Sequence, residues 1–160
     1  MELYNILIYL SRNIFFYKKI VLPDTFETRI NLIFFHFSIM MIATKNKDAK
    51  FDQILYDNLF HNIENNLREL GLGDVTVNKK MKELNRILYD ILLKINPSQN
   101  KKEKFDISYN LVNKYFSDLS DINGFKFILF KKYFLNFYEF CFELPIKNMV
   151  REAKNYKFKY

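Results

Sequence analysis

The chain has 160 residues, 49% of them hydrophobic and 27% charged, with three glycines, three prolines and one cysteine. That length suits one domain with a real core, so few glycines and prolines argue against an all-β or loop-rich architecture, and a lone Cys141 excludes a disulfide framework or a thiolate metal cluster. The net charge of +7 admits a nucleic-acid or membrane partner, yet Lys, Asn, Ile, Phe and Tyr make up more than half of the chain, so AT-rich coding is the first explanation of the basic balance, ahead of an anionic partner.

Leu3, Ile6, Leu7, Leu10 and Ile14 recur at helical spacing and predict a first helix of about four turns, with Lys18 and Lys19 at its C-terminal end. Met1–Leu10 carries Glu2 and Asn5 and no basic leader, so no targeting signal is expected there. Pro23 marks a break, and Asp24 is expected to cap the next helix, with Glu27 completing a capping box. That second helix, about Thr25 to Thr44, is apolar through Ile30–Ala43 except for Asn31, His36 and Ser38, the pattern of a central bundle helix. No stretch reaches the roughly 18–20 unbroken apolar residues of a bilayer span, which predicts a soluble or peripheral chain.

After the polar connector Lys45–Lys50, the third helix places Phe51, Ile54, Leu55, Leu59, Phe60, Ile63, Leu67 and Leu70 on one face and stops at Gly71, the position past a helix end where φ turns positive. A fourth helix from about Asn78 carries Met81, Leu84, Leu88, Ile91 and Ile95 and ends before Pro97. Pro97–Lys104, with Lys101, Lys102 and Lys104 around Glu103, reads as a loop within one domain. Ile107, Leu111, Val112, Tyr115, Phe116 and Leu119 predict a fifth helix, Ser120–Gly124 a turn, and Phe125–Leu144 a sixth, strongly aromatic helix. After Pro145, Lys147, Arg151, Lys154, Lys157 and Lys159 predict a short helix and a fraying basic tail. The expected fold is all-α: a single-domain bundle of about six to seven helices.

Catalytic patterns do not emerge. Neither His36 nor His61 sits in a nucleophile or metal motif, Gly71-Leu72-Gly73 lacks the strand and the Lys-Ser/Thr pair of a phosphate loop, and no cofactor is implied. His36 reads as a core histidine or, alternatively, a haem or metal ligand. The aromatic sixth segment either fills the core or offers a partner or membrane face. The basic C-terminus either docks on anionic lipid or ribosomal RNA or is a solvated tail.

Two segments stand in order: Pro23-Asp24-Thr25-Phe26-Glu27-x-Arg29 with His36 seven residues on, and Asn66-Leu67-Arg68-Glu69-Leu70-Gly71-Leu72-Gly73-Asp74, continuing through Val77 to Lys80-Met81-Lys82 and Tyr89. The pair resembles the ubiquinol-cytochrome c chaperone family, assembly factors of the cytochrome bc1 complex. The resemblance covers about residues 1–95 and becomes a general helical likeness over the aromatic-rich 105–160. It departs where the family's aromatic-Gly-Arg reads Tyr89-Asp90-Ile91, and where basic residues after the histidine helix are displaced to Lys45 and Lys47.

The resemblance implies a non-catalytic chaperone that binds newly made cytochrome b or an early bc1 intermediate. It also implies a place in the cytoplasm or peripherally on the inner face of the inner membrane, with a small helical partner or the ribosome as further contacts and no DNA. The pattern begins almost at Met1, which implies a bacterial member. Candidate partner-binding residues are Asp24, Thr25, Arg29, His36, Asn66, Arg68, Glu69, Gly71, Gly73 and Asp74. The rival readings are a small basic helical nucleic-acid or ribosome-binding protein and a peripheral enzyme of quinone or haem metabolism. The two segments are expected to meet in space, with Arg29 or Arg68 pairing to Glu69, Asp74 or Asp24 as a buried cluster that fastens the corner; an open arrangement would instead mark a partner surface.

Overall fold

A computed structural model describes residues 2–98 and 103–160, so Lys101 and Lys102 of the polar connector lie outside the described residues. Among the described residues seven α-helices follow the apolar spacing: α1 (Leu3–Ser11), α2 (Phe26–Asn46), α3 (Gln53–Glu69), α4 (Asp74–Lys94), α5 (Tyr109–Tyr115), α6 (Phe125–Glu143) and α7 (Ile146–Glu152). A π-turn spans Phe15–Lys19, and 3-10 turns span Ser117–Leu119 and Ala153–Asn155. No described residue is in a strand. The fold is an all-α bundle.

The axis of that bundle is α2, which packs on α1, α4 and α6 and buries residues on every side. By length and hydropathy alone it would cross a membrane, but most of it is enclosed by the other helices. Its closest chemical partner is α6. Phe130, Tyr133, Phe134 and Phe137 are fully buried and meet Phe16, Phe35 and His36, mostly edge-on, with centroids such as Phe16–Tyr133 at 4.7 Å and His36–Phe134 at 4.9 Å, while Phe16 and Phe134 stack. Burial of such a ring is worth about 1.5–3 kcal/mol. The aromatic stripe of α6 therefore fills the core, leaving Phe125, Ile128 and Phe142 as its exposed apolar positions.

Local chemistry moves several expected boundaries. The first helix ends at Ser11, because Asn13 Oδ1 accepts the Phe15 amide at 3.0 Å and draws the backbone out of the helix. The chain re-enters as the π-turn, closed by Ile20 N to Phe15 O at 3.1 Å, so Ile14 faces solvent while Phe15 and Phe16 enter the core. Thr25, not Asp24, caps α2: its hydroxyl accepts the Thr28 amide at 3.1 Å, and Asp24 instead pairs with Arg29. The fourth helix starts at Asp74 rather than near Asn78, shortening the corner to Leu70–Gly73; an acid in the first turn suits the helix dipole. Leu70 and Ile54 lie at the two ends of α3, beyond the reach of its partners, and both are exposed.

The C-terminus does not fray. Tyr156 Oη donates to the Tyr133 carbonyl at 2.8 Å, and the Phe158 ring sits 5.0 Å from Phe15. In the extended end of the chain the aromatics Tyr156 and Phe158 turn inward while Lys157 and Lys159 face water, a hydrophobic strap that the lysine count concealed.

A candidate partner-binding surface

Both sequence segments reach the same face of α1. Arg29, one turn into α2, and Asn66, near the end of α3, line one small cleft of about 80 Å³, with Tyr4, Ile8 and Arg12 between them. Asn66 Nδ2 donates to Tyr4 Oη at 2.5 Å, tying the second segment to α1. The segments therefore meet, but through α1 rather than through a shared ion cluster.

The ion pairs stay within each segment. Arg29 Nε lies 3.0 Å from Asp24 Oδ1, close enough for an ion pair but without hydrogen-bond alignment, so that buried Nε–H has no hydrogen-bond acceptor. Arg68 pairs with Asp74 and, at 3.2 Å, with Glu64 Oε1; these bonds raise the guanidinium above its ordinary pKa. Asp74 is 83% exposed and Asp24 72%. The expected buried cluster is thus not formed: at this corner the charges keep their water, which spares them the desolvation cost of a buried pair. The open arrangement is the one present.

Gly71 takes φ +88, and its amide bonds the Arg68 carbonyl at 2.9 Å while Leu72 N reaches Leu67 O at 3.4 Å, closing α3 in the left-handed turn that glycine adopts without steric penalty. Gly73 has φ −75 and is the N-cap of α4; its carbonyl accepts from Val77 N at 2.9 Å. Between and beside these glycines stand Leu70 (69% exposed), Leu72 and Val75 (71%), an apolar group flanked by Arg68, Glu69 and Asp74. Sequence periodicity missed this patch. It assigned Leu70 to the core face, because spacing does not reveal where a helix outruns its neighbours; the nearby positive-φ glycine was the usable signal.

Of the expected surface residues, His36 is the one the structure removes. It is fully buried, with Nδ1 donating to the Leu32 carbonyl at 2.7 Å and Nε2 accepting from Tyr133 Oη at 2.8 Å. Burial lowers its pKa to about 3 against the opposing pull of the Leu32 carbonyl. Both ring nitrogens are engaged, so no lone pair is offered to a haem or metal. Thr25 is exposed, but its hydroxyl serves the helix cap.

The Tyr89-Asp90-Ile91 stretch is a strut. Asp90 receives Lys94 and Lys114, each at 2.7 Å, and the Tyr115 hydroxyl at 2.5 Å, joining α4 to α5. Burial would raise its pKa, but the hydrogen bonds from Lys114, Lys94 and Tyr115 outweigh it and hold the carboxyl well below its usual range. Lys47 ties the end of α2 to the end of α6, donating to the Leu144 carbonyl at 2.5 Å.

A family model described as ubiquinol-cytochrome C chaperone matches residues 18–118, a stretch that contains both segments and runs from the π-turn through α5. Comparison with curated proteins and with solved structures returns no match.

Proposed function

Because the chain belongs to the ubiquinol-cytochrome C chaperone family, we propose that it is a non-catalytic assembly chaperone of the bc1 complex that holds newly made cytochrome b or an early intermediate at the glycine corner. The observation that carries this reading is the exposed apolar group Leu70, Leu72 and Val75, set on the glycine-closed helix-helix corner and edged by Arg68, Glu69 and Asp74. An apolar client segment gains most from apolar contact, while the charged rim limits where it can sit. Gly71 fixes the angle at which the patch is presented. The basic balance of +7 supports a working position beside an anionic inner-membrane surface, to which each well-placed Lys or Arg contributes about 1 kcal/mol. A small helical partner or the ribosome are further contacts that family membership suggests.

Deleting the gene in its host and recording the membrane cytochrome b spectrum tests the role. The expected result is a loss of bc1-associated cytochrome b, restored by the wild-type gene and not by a Leu70→Asp/Val75→Asp double variant. Unchanged bc1 content refutes it. The nucleic-acid alternative, favoured only by the net charge, is separated by a salt titration of RNA and DNA binding, where phosphate contacts impose a steep salt dependence.

A further inference from the structure

A second concavity, away from the glycine corner, opens where the ends of α2 and α4 meet the connector before α3. Its volume is about 480 Å³, within the range of roughly 300–1,000 Å³ common for small-molecule cavities. Met41, Ile42, Phe51, Leu92 and Leu93 form its apolar lining, and Leu93 is left 62% exposed. The polar amides in the wall are already occupied. Asn46 Nδ2 donates to Tyr138 Oη at 2.9 Å, and Asn96 Oδ1 accepts from the amides of Ser98 at 3.3 Å and Asp106 at 3.4 Å.

The charges at the mouth are of one sign. Lys45 and Lys50 line the cavity, both are exposed, and neither forms an ion pair with a described residue. Lys47 lies between them in sequence but is committed elsewhere, to the Leu144 carbonyl. Among the described residues no acidic side chain lines the cavity. The carbonyl end of α2, which would otherwise repel an anion, is closed by Lys47 N to Ala43 O and Ala49 N to Thr44 O, both 3.2 Å.

We propose that this cavity binds a single-chain anionic amphiphile, its alkyl chain lying among Met41, Ile42, Phe51, Leu92 and Leu93 and its carboxylate or phosphate group held at the mouth by Lys45 and Lys50. Flexible Met41 and half-exposed Leu93 adapt to a chain better than to a rigid ring system. The same chemistry is shared by a free fatty acid and by one acyl chain of an anionic membrane lipid with its headgroup at the mouth, and the site is independent of the chaperone reading.

The test uses the full chain with labelled Met, Ile and Leu methyl groups, titrated with dodecanoate, octanoate and dodecyltrimethylammonium. Dodecanoate is expected to saturate one site, shift the methyls of Met41, Ile42, Leu92 and Leu93, and bind several-fold more tightly than octanoate, since each buried methylene adds apolar contact. Lys45→Gln/Lys50→Gln is expected to weaken dodecanoate roughly tenfold while leaving the helical circular dichroism unchanged. Phosphatidylcholine vesicles with and without phosphatidylglycerol form the second arm: anionic vesicles shifting the same methyls identify membrane lipid as the source, and dodecanoate alone doing so identifies a free amphiphile. Equal binding of the cationic amphiphile, unchanged affinity in the double variant, or shifts confined to other methyls overturns the inference.

Discussion

Replacing His36 offers a pH-resolved measure of the aromatic core. The imidazole is fully buried, neutral, and bonded on both nitrogens, to the Leu32 carbonyl and to Tyr133 Oη. Its pKa is lowered from 6.5 to about 3 by burial. Below pH 6.5 the unfolded chain takes up a proton that the folded chain refuses, so folding stability falls with pH at about 1.4 kcal/mol per unit until the folded pKa is reached. Between pH 7.5 and pH 4.5 this one group removes roughly 3 kcal/mol. His36→Gln loses the Leu32 bond and some packing, costing about 1–3 kcal/mol at pH 7.5, but it has no proton to gain. The gap between wild type and variant should therefore close by roughly 3 kcal/mol on acidification to pH 4.5. Urea unfolding followed by circular dichroism at pH 7.5, 6.5, 5.5 and 4.5 measures it, and the carboxylates common to both proteins cancel in the difference. A gap that stays constant across that range would refute a neutral buried His36.

At the corner the two glycines should behave oppositely. Gly71→Ala forces a side chain to φ +88 and should destabilise by about 1 kcal/mol in urea unfolding, although its Cβ would touch nothing within 4 Å. Gly73→Ser supplies a capping hydroxyl at a permitted φ and should stabilise by about 0.5 kcal/mol. Asp90→Asn loses the Lys94 pair within α4 and the Lys114 pair that joins α4 to α5, and should cost about 1–2 kcal/mol. The wild-type advantage there is whole above the ordinary carboxylate pKa of 3.8 and fades as the pH falls below it, because the folded carboxyl stays ionised to lower pH. Arg68→Ala removes only exposed ion pairs and should leave the urea-unfolding midpoint nearly unchanged. If the same variant nevertheless loses cytochrome b in affinity capture from membranes, the corner acts through contact rather than through folding.

Much of this fold was legible in the order of residues. The spacing of Leu59, Ile63 and Leu67, and of Leu84, Leu88 and Ile91, stated where α3 and α4 face the core, since helical period and burial are the same fact seen twice. Gly71 announced its positive φ because it stands just where helical periodicity stops and a left-handed residue closes the last turn. The Asp24–Arg29 and Asn66–Asp74 segments carried the family, as motifs can, without saying what each side chain touches.

Tertiary structure decided the rest, for reasons no local pattern contains. Whether Leu70 is core or surface depends on where α3 outruns the helices beside it, and it does so at the corner. Whether the basic tail frays depends on Phe15 and Tyr133 being within reach of Tyr156 and Phe158, residues brought together across most of the chain. His36 belongs to the core because Tyr133, 97 positions away, supplies the hydroxyl that makes its burial affordable. Periodicity is a property of one helix, but exposure, pairing and partner surfaces are set by which helices stand next to it.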